Sequence, residues 1–374
     1  MTSDEPVRLV QDSQALKTVI ETIQVEDCIA LDTEFHAERR YFPELMLVQI
    51  GVRDGRSWVI DPQSVDISPL FRALVDSELL VHSGEQDLAI LLREVNEAAL
   101  QVFDVQIAAG LCGQGHPTRL DKLVVENLNT QIDKGSTLSD WSKRPLTPAQ
   151  IAYAASDVRV LFPLRDALTR QLEAKGRLEW AHEESCTMAK RVAEGPQARH
   201  IWTTWDIVSR LDSTTQNILG VLFHWRDQQG RKKNQPPFFI LSDGLCLDVA
   251  RRKPKTVAVL SENRRIPQGL IRRLGTDLVE VIKWACDNQA DLPLIPTRDE
   301  QRQTQLLALW NSAQSAATGI APSLLLPPSL ALEVAHTGIQ ALTGWRKETI
   351  ASPLQEFMDG QKGLYFDASG PVIR

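Results

Sequence analysis

The stretch from Cys28 to Phe35 constrains the fold of this chain most, because an apolar run ends there in two carboxylates, Asp32 and Glu34. Side chains two residues apart in a strand point to the same face, so both acids are expected side by side. Two negative charges about 4 Å apart repel by about 4 kcal/mol at an effective dielectric of 20. Such a pair needs a compensating cation, for which a divalent metal ion is the obvious candidate. An edge strand that ends in solvated acids is the alternative, and this motif alone does not decide between the two.

The apolar patterns on either side of this stretch predict a mixed α/β sheet flanked by helices. A short strand and an amphipathic helix are expected over residues 7–27. Residues 44–51 and 57–61 read as two strands joined by a tight turn at 53–56, which is a hairpin signal. A short buried strand at 79–82 then leads into another helix.

The second acidic site is Asp87, in the first turn of the helix that follows this short strand. Open α/β sheets bind ligands at the carboxyl ends of their strands, but the helix dipole favours an acid at this position as well. His82 could contact a phosphate or simply pack in the core. Asp104 has the same local pattern, and we interpret it as the N-cap of a helix over 105–111.

The third site lies on a helix whose start is marked by Thr147 as N-cap and Pro148 at the first helical position. Tyr153 and Asp157 are four residues apart, so they share one face of this helix. The two side chains could simply hydrogen-bond each other. Together with the two earlier sites, however, they complete a set of four carboxylates and a phenol.

The segment just before this helix interleaves basic residues with an aromatic ring. Lys134, Lys143 and Arg144 could reach phosphates while Trp141 packs beneath them. A solvated loop is an equally good interpretation of the same residues.

The length of 374 residues exceeds what one ordinary core accommodates, so two or three domains are expected. Gly195-Pro196 and the proline-containing segment 287–296 are typical of domain boundaries. The predicted domains are residues 1–195, 205–290 and 298–374.

The net charge of −7 is unevenly distributed along the chain. Residues 199–290 carry 15 Lys and Arg against 9 Asp and Glu, so the positive potential is concentrated in the middle domain. Basic clusters there, including Arg251, Arg252 and Lys253, favour a surface that faces phosphates.

Other features limit the class of protein. The five cysteines are scattered, without the spacing of a zinc site, so we expect reduced thiols. No apolar run approaches the roughly 20 residues that span a bilayer, and the N-terminus lacks the features of a signal peptide. A cytoplasmic protein is therefore expected.

Four carboxylates suit Mg²⁺ or Mn²⁺ better than zinc. Two such ions roughly 4 Å apart would clamp a scissile phosphate, which predicts hydrolysis of phosphodiester bonds. Tyr153 would then orient the attacking water and help it lose a proton.

The motifs Leu31–Phe35, His82–Asp87 and Tyr153–Asp157 resemble the three exonuclease motifs of the DEDD superfamily in its tyrosine variant, and in particular the bacterial ribonuclease D family. Residues 214–282 resemble an HRDC domain, and the last predicted domain looks like a second, diverged one. The resemblance implies a ribonuclease H-like α/β exonuclease domain followed by all-α HRDC-type domains.

This resemblance also implies an activity, namely 3′-to-5′ trimming of structured RNA precursors, notably tRNA, with release of nucleoside 5′-monophosphates. RNA is then the expected partner, with no membrane and no obligate protein partner. Tyr153 would orient the water and Phe35 would wedge against the terminal base. The implied ligands of the two metal ions are Asp32, Glu34, Asp87 and Asp157.

Two alternatives remain open at this point. The same acids serve 3′-to-5′ DNA exonucleases, and carboxylates do not read the 2′-hydroxyl that distinguishes RNA. A nucleic-acid-binding adaptor with an acidic scaffold domain is the second alternative.

Overall fold

The computed structural model describes residues 7–95, 100–132, 139–195, 200–368 and 370–374. Its contacts divide the chain into two compact units. The first comprises residues 1–36, 45–195 and 303–374, and the second comprises residues 37–44 and 196–302. None of the helices within the described ranges is long and apolar enough to cross a lipid bilayer.

A six-stranded mixed sheet lies at the centre of the first unit. Its strands are β1 (Arg8–Val10), β2 (Cys28–His36), β3 (Glu44–Gly51), β4 (Ser57–Ile60), β5 (Glu78–Val81) and β6 (Val102–Asp104). They lie in the order β1-β4-β3-β2-β5-β6, with β1 parallel to β4, β3 antiparallel to β4, and β5 parallel to both β2 and β6. Since β2 is a central strand whose Ile29, Ala30 and Leu31 are almost fully buried, the edge-strand interpretation is wrong.

The predicted hairpin between β3 and β4 is confirmed. Gly51 pairs with Ser57, and the turn contains Gly55 with a φ of 95°, a left-handed conformation that glycine adopts without steric cost. The fold class predicted from the sequence, an α/β domain followed by helical domains, is likewise confirmed.

Within the part of the chain that the structure describes, helices of the first unit flank the sheet. They are α1 (Ser13–Ile23), α2 (Ser68–Leu74), α3 (Glu85–Val95), α4 (Val105–Cys112), α5 (Leu120–Leu128), α6 (Pro148–Arg159), α7 (Leu161–Ala174) and α8 (Leu178–Ala193). Helix α6 begins where the sequence predicts. The Thr147 side chain accepts a hydrogen bond from the Gln150 N–H while the Gln150 side chain accepts one from the Thr147 N–H, which is a capping box.

The second unit is helical, as expected for an HRDC-type domain. Its helices are α9 (Ser213–Lys233), α10 (Pro237–Ile240), α11 (Asp243–Arg252), α12 (Val257–Ser261) and α13 (Gln268–Asp287). The long helices α9 and α13 pack together through fully buried side chains such as Leu222 and Leu278.

The C-terminal segment contains the last helices, α14 (Arg298–Thr318), α15 (Pro322–Leu325), α16 (Pro328–Thr337) and α17 (Gly344–Met358). They are followed by a two-stranded sheet of β7 (Leu364–Asp367) and β8 (Gly370–Ile373). Trp345 stacks on Trp180 of α8 with ring centroids 5.3 Å apart, and Arg346 donates to Glu184 at 2.6 Å. From residue 303 onwards this segment therefore shares the hydrophobic core of the first unit.

Candidate active site

Asp32 and Glu34 lie on one face of β2, as the strand period predicts. Leu31 and Thr33 are buried, whereas Asp32 and Glu34 alternate with them and are half-buried. Both acids line a cavity of about 320 Å³. The central position of β2 places this carboxylate pair in the middle of the sheet.

Asp87 lies in the first turn of α3. The strand β5 pairs with β2 and leads into this helix, which brings Asp87 close to the acids of β2. Its side chain is only 5% exposed. The hydroxyl of Thr33 donates a hydrogen bond to Asp87, so the residue between the two acids of β2 connects them to the third acid.

The corner that leads to Asp87 is held by Asp104. Ser83 has a φ of 58°, and a Cβ on Gly84 would lie 2.5 Å from the side chain of Val81, so the turn requires a glycine. Asp104 accepts hydrogen bonds from the backbone N–H groups of Ser83 and Gly84 at 3.1 and 3.0 Å. It also accepts from the Gln106 N–H at 2.8 Å, which confirms its predicted role as the N-cap of α4.

Asp157 and Tyr153 come from α6, which packs against β2 and β4. Asp157 is 8% exposed and accepts a hydrogen bond from the Tyr153 side chain. Both residues line the same cavity as Asp32 and Glu34. The face predicted from their spacing is thus the face that α6 turns toward the acids of β2.

The cavity is also lined by residues that were not predicted from the sequence. Arg119 and Asp121 lie at the start of α5, where the Arg119 Nε is 3.2 Å from an Asp121 carboxylate oxygen. Their local sequence is that of an ordinary helix start, so no signal marked them. The lining residues are Asp32, Thr33, Glu34, His82, Arg119, Leu120, Asp121, Ile132, Tyr153, Asp157 and Leu161.

Burial raises the pKa of each of the four acids, and the charges of neighbouring acids add to this effect at Asp32 and Glu34. Burial, and then the charges of the other three acids, raise the pKa of Asp32 well above its usual range. Burial and the charges of Asp157 and Asp87 raise the pKa of Glu34 to about 8. Burial raises the pKa of Asp157 to about 7 against the opposing hydrogen bond from Tyr153, and burial raises the pKa of Asp87 to about 6. Perturbed carboxylates in a cavity are typical of functional sites.

The donor set fits a hard divalent cation. All four side chains offer carboxylate oxygens, which Mg²⁺ and Mn²⁺ prefer. The pKa values of Asp32 and Glu34 are raised first by burial and then by repulsion from neighbouring acids, and a bound cation would oppose both effects. As the side chains stand, no three His, Cys, Asp or Glu residues within the described ranges are arranged to hold a metal ion.

His82 lines the cavity with a fixed ring. Its Nε2 lies 2.9 Å from the Thr118 carbonyl oxygen, which also accepts a hydrogen bond from Gln106 at 3.0 Å. The packing and the phosphate-contact interpretations are thus compatible, because a fixed ring still faces the cavity.

Arg144 is a correction to the predicted phosphate contacts, whereas Trp141 packs as the sequence predicts. The guanidinium of Arg144 donates to both oxygens of Asp61 at 2.7 and 2.9 Å, and to the carbonyls of Met46, Trp141 and Lys143. These bonds use all five of its N–H donors, so none is left for a phosphate. Trp141 is 3% exposed and packs near the Tyr153 ring, with centroids 6.2 Å apart, so it supports the tyrosine from within the core, in agreement with the predicted packing of this ring.

Phe35 and Lys143 are not among the residues that line the cavity. Phe35 is half-buried and packs against the core of the first unit, and Lys143 is exposed beside Asp140. Lys134 lies outside the described residues. In the second unit, Arg251, Arg252 and Lys253 occupy the end of α11, where Arg252 pairs with Asp248 and Lys253 with Asp212.

Two family models match the chain. One described as "3'-5' exonuclease" matches residues 7–173, which include all four acids, and one described as "HRDC domain" matches residues 215–282.

Relatives match over nearly the whole chain. Ribonuclease D of Granulibacter bethesdensis is 31% identical, covering 96% of this chain and 94% of its own length. Ribonuclease D of Gluconacetobacter diazotrophicus is 30% identical, with 98% and 96% covered. The crystal structure of Escherichia coli RNase D is 25% identical, with a TM-score of 0.81 over 95% of this chain and 99% of that one. With the acids of β2, α3 and α6 in place, this chain belongs to the ribonuclease D family.

Proposed function

We propose that this chain trims the 3′ ends of tRNA and other structured RNA precursors with two divalent metal ions, releasing nucleoside 5′-monophosphates. Membership of the family makes it a 3′–5′ exoribonuclease of the DEDD type that uses divalent metal ions. The observation that carries the finer proposal is that Asp32, Glu34 and Asp157 line one cavity, while Asp87 is hydrogen-bonded to Thr33, the residue between the two acids of β2.

Each acid has a distinct place in this proposal. Asp32 would lie between the two ions, Glu34 and Asp157 would hold the ion on the side of the attacking water, and Asp87 would support the other. Mg²⁺ or Mn²⁺, when bound, would polarise the scissile phosphodiester and neutralise the charge that develops on it. The half-buried Asp32 and Glu34 face the cavity, which suits direct binding, whereas Asp87 is held by Thr33.

Tyr153 is the group that would hold the attacking water. Its hydroxyl is already oriented by the hydrogen bond to Asp157, and its ring is supported by the buried Trp141. A phenol fixed in this way positions the water oxygen and assists the loss of its proton.

Arg119 is the cation that we add to the predicted substrate contacts. Its side chain is 72% exposed and lines the same cavity as Asp32, Glu34 and Asp157, so it can donate to a phosphate of the bound strand. We place the protein in the cytoplasm with its RNA substrates, acting without an obligate protein partner.

The proposal is tested by a time course on a 5′-labelled RNA with a 3′-extended tRNA-like end, in Mg²⁺, in Mn²⁺ and in EDTA. We expect a metal-dependent ladder that shortens from the 3′ end. Asp32→Asn should abolish the ladder while binding persists, because the variant removes a charge and not the RNA-binding surface.

Asp76→Asn is the matched control, since Asp76 is an exposed carboxylate outside the cavity. It should leave the ladder unchanged. A DNA oligomer of the same sequence separates the two exonuclease interpretations, and preferential degradation of DNA would reject the proposed substrate. RNA that stays intact with the wild-type chain and with Asp76→Asn would favour the interpretation as a nucleic-acid-binding adaptor.

A further inference from the structure

Two phenylalanine rings of the second unit are exposed to solvent. Phe238 and Phe239 on α10 are 58% and 51% exposed, and their rings meet edge to face with centroids 4.5 Å apart. Folding gains nothing from leaving such rings in water, so their exposure points to binding.

Three cations precede these rings. Arg231, Lys232 and Lys233 form the exposed last turn of α9, and α10 begins four residues later. The dipole of α9 favours cations at its C-terminus. It gives no reason for exposed aromatic rings in the next turn of the chain.

The segment 37–44 adds two more rings to the same place. The hydroxyl of Tyr41 donates to Asp227 at 2.8 Å, and the N–H groups of Tyr41 and Phe42 donate to the Asn234 side-chain oxygen at 3.2 and 2.9 Å. The Tyr41 and Phe42 rings lie 4.9 Å apart. These bonds fasten the segment to the C-terminal end of α9.

Gly230 shows how closely these parts approach one another. A Cβ at this position would lie 2.8 Å from the Gln235 carbonyl oxygen, 3.2 Å from the Tyr41 ring and 3.4 Å from the Pro237 ring. Tyr41 and the turn that leads to α10 therefore converge on one point. We call the resulting surface the aromatic-basic patch; it consists of Tyr41, Phe42, Arg231, Lys232, Lys233, Phe238 and Phe239.

We propose that the aromatic-basic patch binds single-stranded RNA, with bases stacked on Phe238 and Phe239 and phosphates near Lys232 and Lys233. Exposed rings interleaved with cations are the means by which proteins bind unpaired strands, because every unpaired base offers a face for stacking. A duplex hides those faces, so the patch suits a single strand. This inference rests on the proposed function, because the strand would be the RNA whose 3′ end is being shortened.

The test measures binding of a 12-nucleotide oligoadenylate that contains 2-aminopurine, using full-length protein with Asp32→Asn in EDTA so that the RNA stays intact. Stacking quenches 2-aminopurine fluorescence. Phe238→Ala with Phe239→Ala should weaken binding about 10-fold or more and remove the quenching. It should leave the salt dependence unchanged, because no charge is lost.

The two lysines give the complementary result. Lys232→Gln with Lys233→Gln should make the slope of log affinity against log salt shallower by about 1.4, from about 0.7 for each phosphate contact with a single strand. The quenching by the phenylalanine rings should persist at saturating protein. An unchanged salt slope would overturn the assignment of phosphates to these lysines.

Val259→Ala is the matched control, because Val259 is an exposed apolar residue of α12, 46% exposed and outside the patch. It should bind like the parent, and thermal unfolding should show that each variant folds. Phenylalanine variants that bind RNA as tightly as the parent would overturn the proposal. If they also change the sedimentation of the protein, the patch is an interface between protein chains.

Cleavage of the same oligomer by the wild-type chain in Mg²⁺ is measured separately. Binding that depends on the two rings without any cleavage would reject the proposed function and keep the patch. Cleavage by the wild-type chain, combined with binding that does not depend on the two rings, would reject the patch and keep the proposed function.

Discussion

At the scale of single residues, a local pattern identifies the acids but not the partners of the cations. The strand and helix periods placed Asp32, Glu34 and Asp157 correctly, because those periods are local properties. Arg144 has the same local setting as a phosphate-binding arginine, and its partner Asp61 lies 83 residues earlier in the chain. Arg119 carries no local signal at all. Contacts between distant segments are therefore what the sequence could not give.

Tyr153 provides a direct test of the chemistry. Tyr153→Phe keeps the ring against Trp141 but removes the hydroxyl, so we expect kcat to fall by about 10²-fold with little change in RNA affinity. Tyr365→Phe, a change on the exposed face of β7, is the matched control and should behave like wild type. An undiminished rate for Tyr153→Phe in single-turnover assays would remove the tyrosine from the mechanism.

Arg144 tests the distinction between structural and substrate-binding cations. Arg144→Gln leaves the carboxylate of Asp61, 1% exposed, without its cation, and removing one member of a buried pair costs about 3–5 kcal/mol of unfolding free energy. Lys143→Gln is the control, and its exposed side chain should cost less than about 0.5 kcal/mol. Urea unfolding measures both values. Equal stability of the two variants would contradict the structural role.

At the scale of elements, capping signals and hairpin turns predicted the boundaries well. Thr147 and Asp104 cap α6 and α4 as their positions in the sequence suggest. The second function of Asp104, which holds the Ser83-Gly84 corner before Asp87, was not predictable. It depends on the pairing of β5 with β6, which no local pattern reveals.

The helices of the C-terminal segment repeat those of the second unit. Helices α14, α15 and α16 each begin and end 85 residues after α9, α10 and α11. Trp225 and Trp310 correspond and are both buried. Arg226 donates to the Leu241 carbonyl at 2.9 Å, and its counterpart Asn311 donates to the corresponding Leu326 carbonyl at 3.0 Å.

We propose on these grounds that residues 298–374 are the second, diverged HRDC-like domain expected from the sequence. Its last helix, α17, has 15 residues against 20 in α13, so the correspondence weakens toward the end. Superposing the two helical triplets in an experimental structure should bring Trp225 onto Trp310. A mismatch there would reject the repeat.

At the scale of the whole molecule, the acids make stability depend on pH when metal is absent. Their folded pKa values, about 8 for Glu34, 7 for Asp157 and 6 for Asp87, lie above the unfolded values near 4. The folded state therefore binds more protons than the unfolded state between about pH 4 and pH 8, and stability falls as the pH rises through that window.

Thermal unfolding in EDTA should accordingly show a Tm that decreases from pH 5 to pH 8, and less steeply for Asp157→Asn, which lacks one of these groups. Each kcal/mol corresponds to about 2–4 °C for a domain of roughly 150–250 residues. Mg²⁺ should raise the Tm at pH 8, where the carboxylates are ionised. Parallel pH profiles for wild type and Asp157→Asn would contradict the coupling.

The two compact units are interleaved along the chain, which crosses from one to the other four times, after residues 36, 44, 195 and 302. The second unit therefore consists of two separate segments of the chain, residues 37–44 and residues 196–302. A gene fragment that encodes residues 196–302 alone leaves Asp227 and Asn234 without their hydrogen-bond donors Tyr41 and Phe42. A fragment that ends at residue 195 leaves Tyr41 and Phe42 without these acceptors. Recombination that moves this unit into another protein with all its contacts must therefore also transfer the eight residues 37–44, which follow β2.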